Sequence, residues 1–209
     1  MVNPDHAQPD GTRPGDTRPG DTVAGAMDAV PRSRFLRRRH RGLAGHDGPL
    51  SIGSGQTCSQ PRTVANMLRL LDVRPGQRVL DVGAGSGWTT ALLAHLVGST
   101  GAVVGVELDP RLARWGAANL ASVDCPWASI RPAEPGTLGW PSGAPYDRVL
   151  VSANAAELPP ALVDQLGDGG VLVLPVASQM LRVRRLRAGS DAGAVAVTEH
   201  GSYRFVPLR

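Results

Sequence analysis

The stretch LDVGAGSGW, Leu80 to Trp88, decides the fold. Its first half closes the run RVLDVG (Arg78 to Gly83), apolar and of strand length. A helical pattern begins near Ser86 and continues through TTALLAHLV, so a strand must pass into a helix within a few residues. Glycines at 83, 85 and 87 permit that turn and let the backbone approach a ligand closely. The start of the helix presents unpaired N–H groups to whatever occupies the loop.

Two phosphate-binding readings fail on these residues. A dinucleotide fingerprint, G-x-G-x-x-G, needs its third glycine where Trp88 stands, and a Walker loop needs a G-K-[ST] that is absent. Asp81 points elsewhere: a carboxylate repels a pyrophosphate but attracts a sulfonium and an α-amino group. G-x-G-x-G after an Asp-bearing strand resembles motif I of S-adenosylmethionine (SAM) methyltransferases. That resemblance implies SAM as cofactor, with Asp81, Gly83, Gly85 and Gly87 around it. A second apolar strand, AVVGVEL (Ala102 to Leu108), carries Glu107 twenty positions beyond Gly87. A carboxylate there is able to accept from both ribose hydroxyls of an adenosine. Glu134, in RPAEPG after the third strand, is expected to reach the adenine amino group.

Outward from this loop, strands and helices alternate. TVANMLRLLDV (Thr63 to Val73) sets Val64, Met67, Leu68 and Leu71 on one helical face. DPRLARWGAANLASV (Asp109 to Val123) is a helix capped by Asp109 with Pro110 in its first turn. ASIRP (Ala128 to Pro132) and YDRVLVS (Tyr146 to Ser152) are strands, PPALVDQL (Pro159 to Leu166) is a short helix, and GVLVLPV (Gly170 to Val176) is a strand. MLRVRRLR, AVAVTEH and YRFVPL follow as strands without helices between them, and Arg182 and Arg184 flanking Val183 suit a half-exposed edge strand. The expected fold is α/β: a Rossmann-like, doubly wound, mostly parallel sheet with antiparallel edge strands.

Length and composition allow one domain. Residues 1–22 hold the repeat TRPGD-TRPGD (Thr12 to Asp21) and little that is apolar, so they read as a disordered tail, with residues 23–209 as the folded domain. From Thr22, VAGAMDAV offers a short helix ended by Pro31. No run reaches membrane-span length, no secretory h-region is present, and two cysteines make no disulfide framework. A cytoplasmic monomer without membrane contact is expected. The net charge of +4 rests wholly on arginine, with clusters at Arg32 to Arg41 and Arg182 to Arg187. Few aromatics interleave with them, so they read as solvated surface and no nucleic-acid partner is expected.

One segment remains. SIGSGQTCSQP (Ser51 to Pro61) is polar, rich in turn residues and runs into the helix that precedes the glycine-loop strand. In an open α/β sheet ligands sit at the carboxyl ends of the strands, so this loop is placed to fold over the pocket and offer Thr57 and Ser59 to a second substrate. Here the chain resembles the protein-L-isoaspartate (D-aspartate) O-methyltransferase family. The likeness spans roughly residues 23–209 and rests on AMDAVPRSRF (Ala26 to Phe35), D-x-P-L-x-I-G-x-GQT-x-SQP (Asp47 to Pro61), LDVGAGSGW, APYDRVLVSANA (Ala144 to Ala155), LVDQLGDGGVLVLPV (Leu162 to Val176) and FVPL (Phe205 to Leu208). The resemblance implies methyl transfer from SAM to the side carboxylate of isoaspartyl residues in damaged proteins or peptides. It makes Ser59 the active-site hydroxyl, with Thr57 in the same substrate loop, and implies no metal. The methyl ester so formed is activated for attack: the neighbouring peptide nitrogen bonds its carbonyl carbon, methanol leaves, and the resulting succinimide is hydrolysed partly to aspartate.

The chemistry suits the residue types. A carboxylate of pKa about 4 is already ionised at neutral pH, so no general base is required, and His95 and His200 fall in helix and strand patterns. The work is positional: acceptor oxygen and methyl carbon must be held in line at about 3 Å in a dry site. The chain departs from the family pattern at Gly45 and His46 (usually Tyr-Glu), Ser54 (Tyr), Ala133-Glu134-Pro135 (Gly-Asp-Gly) and Asn154 (Ala). Those departures leave two alternatives: a relative retargeted to another peptide or small-molecule acid, and a SAM-binding module without turnover.

Overall fold

The computed structural model describes residues 22–186 and 194–209; residues 1–21 of the expected tail and Arg187 lie outside the described residues, and Thr22, expected in the tail, begins a helix. Helix α1 (Thr22–Ala29) leads into two 3-10 turns, Arg32–Phe35 and Arg38–Leu43. Strands β1 (Leu50–Gly53) and β2 (Gln56–Cys58) form an antiparallel hairpin, and α2 (Pro61–Leu71) follows. Then come β3 (Arg78–Val82), α3 (Trp88–Val97), β4 (Ala102–Glu107), α4 (Pro110–Leu120) and β5 (Ala128–Pro132). The chain ends with β6 (Tyr146–Val151), α5 (Pro160–Val163), β7 (Leu166–Val176), β8 (Gln179–Arg185) and β9 (Val195–Ser202). The main sheet has seven strands in the order β5-β4-β3-β6-β7-β8-β9. Its first five run parallel, and β8 and β9 pair antiparallel. This is the Rossmann-like α/β sheet expected of the sequence.

Period two along β3 divides the core. Val79 faces a cluster shared with α1, α2, α3 and α4, while Leu80 and Val82 face the opposite cluster with Val149, Val151 and Leu172. The apolar stripe of α2 is buried as its spacing predicts, at Val64, Met67, Leu68 and Leu71. Each such side chain contributes roughly 1.5–3 kcal/mol of burial. The second sheet face is covered more thinly, by α5 and by Leu138, Trp140 and Tyr146.

Several boundaries move for physical reasons. Helix α3 starts at Trp88, not near Ser86, because its N-cap Gly87 holds a left-handed φ of 86°. The helix expected over 159–166 shrinks to α5: Gln165 uses its side chain to accept from Trp140 N–H and donate to the Leu138 and Ala161 carbonyls, and β7 begins at Leu166. Strand β8 is not an edge; β9 lies outside it. YRFVPL adds only a bridge, with Asn154 N–H donating to Val206 O and Leu208 N–H donating to Asn154 O.

Candidate active site

The site forms where β3 and β6 part company, the point at which strand order reverses in an open sheet. Gly83, Gly85 and Gly87 all adopt left-handed φ, at 84°, 53° and 86°. Gly87 has a second reason to lack a side chain: a Cβ there would stand 2.8 Å from Gly116 O on α4. Glycine thus closes the loop against the neighbouring helix as well as turning it.

Asp81 lies under the loop with no solvent exposure. Its Oδ2 accepts from the hydroxyls of Thr89 at 2.8 Å and Thr90 at 2.7 Å, both on the first turn of α3. Its Oδ1 is buried without a partner. Burial pushes the carboxyl up to about 6; the two hydroxyls oppose that rise, and the nearby Glu107 charge adds to it. Neither threonine was singled out from sequence. Gly105, opposite Asp81 on β4, makes their geometry possible, since a Cβ there would meet Thr90 Oγ1 at 2.9 Å.

Glu107 ends β4 with its side chain nearly buried. Gly85 N–H donates to one oxygen at 2.8 Å and Asp109 N–H to the other at 3.0 Å. A carboxylate has about four lone-pair sites, so capacity for a diol remains. Asp109 caps α4 as expected, accepting from Arg111 N–H. Glu134 is exposed beyond β5, where its carbonyl accepts from Thr137 N–H. The structure therefore brings Asp81, the glycines and Glu107 together, and Glu134 stands on the exposed loop that leaves β5, one residue after the Ala133 N–H that donates to Glu107 O at 2.9 Å. Ser152, which the sequence reading did not single out, follows β6 beside Gly83, 3.7 Å from where a Gly83 Cβ would stand.

The segment Ser51–Pro61 is a hairpin followed by a helix start, where the sequence reading had a loop. Ser54 and Gly55, at φ 54° and 72°, make a two-residue turn of the kind that suits the twist of paired strands. The hairpin lies against the glycine loop. Ile52 Cδ1 is 3.3 Å from the place of a Gly85 Cβ, and burial raises the Cys58 thiol, a rise that Arg32 and the Ser86 hydroxyl oppose. At its tip Ser54 Oγ accepts from Arg111 Nη2 at 3.5 Å, and the Ser54 hydroxyl and the Arg111 N–H together hold the Asp109 acid down at about 2. Thr57 is exposed on β2, and Ser59 is half-buried in the short link between β2 and α2.

The arginine run, read from sequence as solvated, is partly interior. Arg37 Nε donates to Ile52 O at 2.9 Å while its guanidinium stacks 3.8 Å over the Trp115 ring. Arg32 is buried and clamps the hairpin base. Arg34, Arg38, Arg39 and Arg41 stay exposed. A surface groove of about 630 Å³ between the end of α4 and β5 has no residue of the glycine loop in its lining.

A Rossmann-like sheet with a glycine loop above a buried aspartate, and a carboxylate at the end of the next strand, defines a SAM-dependent methyltransferase. The glycine turn leaves room for a ligand against the backbone, and the unpartnered Asp81 Oδ1 and the free capacity of Glu107 suit a cationic nucleoside. Residues 16–209 match the family described as protein-L-isoaspartate (D-aspartate) O-methyltransferase. The protein-L-isoaspartate O-methyltransferase of Methanopyrus kandleri is 43% identical over 186 residues, 89% of this chain and 82% of its own length. A solved protein-L-isoaspartate O-methyltransferase superposes with a TM-score of 0.79 at 24% identity over 91% of this chain, which spans 62% of that protein's length. A Plasmodium falciparum protein bearing the family's name, crystallised with S-adenosyl-L-homocysteine, gives 0.75 at 25% identity over 90% of each chain. The chain belongs to the protein-L-isoaspartate O-methyltransferase family.

Among the described residues no helix is long and apolar enough to cross a membrane, and no group of three or more potential metal ligands occurs.

Proposed function

We propose that this chain methylates the side carboxylate of L-isoaspartyl residues in damaged proteins, using SAM. One observation carries the reading beyond family membership: the hydroxyl-bearing hairpin sits directly on the glycine loop, so donor and acceptor have walls in one crevice. When bound, SAM supplies an electrophilic methyl on a sulfonium. Asp81 holds a negative charge beneath it, Glu107 accepts from the ribose hydroxyls, and Gly83, Gly85 and Gly87 keep the loop backbone open to close approach. Ser59 and Thr57 offer hydroxyls that orient the acceptor oxygen without protonating it, and Ile52 keeps water from the loop side. Position, rather than proton transfer, is then the source of rate.

Glu134 takes the adenine side in this reading, reached across an exposed loop. The same reading carries a monomeric cytoplasmic enzyme without a nucleic-acid partner. In its support, Arg32, Arg37, Arg148 and Arg182 spend donors on the protein's own carbonyls rather than on a displayed basic face.

The test is transfer of labelled methyl to a synthetic isoaspartyl peptide beside its aspartyl twin. Label on the first alone is expected. Label on both or on neither sinks the reading. Ser59→Ala is expected to lower turnover at least tenfold while adenosylhomocysteine affinity, by calorimetry, stays within threefold.

A further inference from the structure

Arg32 is a buried cation that the chemistry so far leaves unused. It is 5% exposed, and among the described residues no carboxylate pairs with it. Its fork is spent on carbonyl oxygens: Nη1 donates to His46 O at 3.0 Å and, longer, to Ala44 O at 3.5 Å. Nη2 donates to Gly48 O at 2.8 Å and Cys58 O at 2.9 Å. Its guanidinium lies 5.5 Å from the Trp88 ring centroid, and its Nε has no partner. Trp88 is itself pinned, its indole N–H donating to Val30 O at 3.0 Å.

These contacts have a consequence for Ser59. Cys58 O and Gly48 O belong to the two ends of the hairpin, so one side chain draws both together and fixes them on the first residue of α3. Ser59 is the next residue after the clamped Cys58 carbonyl. The charge matters as well as the shape. Carbonyl dipoles and a ring face partly solvate a guanidinium but do not neutralise it, and a buried unpaired cation is costly unless it serves something. On the sheet side of the same crevice sit the buried carboxylates of Asp81 and Glu107. The two walls therefore carry opposite charge: negative where a sulfonium belongs, positive where an anionic acceptor belongs.

We propose that Arg32 is a positioning residue for the acceptor carboxylate. It holds Ser59 in register over the glycine loop and gives the hairpin side of the crevice a net positive field. The inference rests on the methyltransferase reading above and concerns the acceptor alone.

Steady-state kinetics on an isoaspartyl peptide, with adenosylhomocysteine affinity by calorimetry and melting of the complex, test it on two variants. Arg32→Lys keeps the charge and loses the fork; Arg32→Met loses both. For Arg32→Lys, peptide KM should rise about tenfold, with kcat and adenosylhomocysteine affinity within threefold. For Arg32→Met, KM should rise at least tenfold further. Unchanged peptide KM in Arg32→Lys overturns the proposal, as does equal KM in two folded variants. A loss of adenosylhomocysteine affinity in step with KM also overturns it, because that is what a purely structural clamp does. If Arg32→Met does not fold, the KM-against-kcat split of Arg32→Lys decides alone. Wild type inactive on the peptide defeats the methyltransferase reading instead, so the two failures are distinct.

Discussion

Asp81 stores a cost that pH can expose. Its carboxyl is raised from 3.8 to about 6, chiefly by burial. At about 1.4 kcal/mol per tenfold change in acidity, an ionised Asp81 costs the ligand-free fold about 3 kcal/mol at pH 8. The sign follows from the raised value. Below the unfolded value the group is neutral in both states and its stabilising share is intact; that share is lost as pH climbs through about 6. Asp81→Asn removes the titration but keeps an oxygen for Thr89 and Thr90, and leaves an amide N–H where Oδ1 now has no partner. That amide cost, about 1–3 kcal/mol, does not depend on pH. The stability difference between variant and wild type should therefore shift in wild type's favour by about 2 kcal/mol between pH 8 and pH 4.5. Urea unfolding of both proteins without ligand at pH 8, 6 and 4.5 measures it. A difference constant across that range to within about 0.5 kcal/mol would refute the argument, whatever its absolute size. In the same variant, SAM affinity should fall more than adenosylhomocysteine affinity, since only SAM carries the sulfonium charge.

Gly87→Ala must place a Cβ at φ 86° and 2.8 Å from a backbone oxygen, and should cost about 3 kcal/mol or more in chemical denaturation; a loss under about 1 kcal/mol would mean the α3–α4 contact yields freely. Glu107→Gln should lower adenosylhomocysteine affinity about tenfold by calorimetry, as one charged acceptor pair is lost and the Asp109 N–H faces an amide nitrogen. Asn154→Ala restores the family's usual residue but strips the Ser178 N–H of its acceptor, in a turn whose residues 177 and 178 hold φ 46° and 69°. It should cost about 1 kcal/mol of stability with kcat/KM unchanged, checked by melting and peptide methylation in parallel.

What the sequence made legible follows from chemistry local to the backbone. Positive φ at three alternating glycines, the Asp109-Pro110 start of α4 and the apolar stripe of α2 each have a cause within a few residues, and each stands where the residues placed it. The hairpin was legible in principle: Leu50, Ile52 and Cys58 are buried in alternation about a Ser-Gly turn, a pattern obscured by the polar residues between them. Thr89 and Thr90 were not legible, because hydroxyls in an otherwise apolar helix carry no mark of the aspartate they reach across the layer. Arg32 was the least legible of all. Its partners are carbonyl oxygens, which every residue owns, so nothing in the letters separates it from Arg34 or Arg38 on the exposed side of the same run. The donor side of this crevice is written in residue types, and the acceptor side largely in backbone. Substitutions that keep the glycine loop can therefore alter acceptor choice without touching the cofactor, and the departures at Gly45, His46 and Ser54 fall along the chain segment that Arg32 gathers.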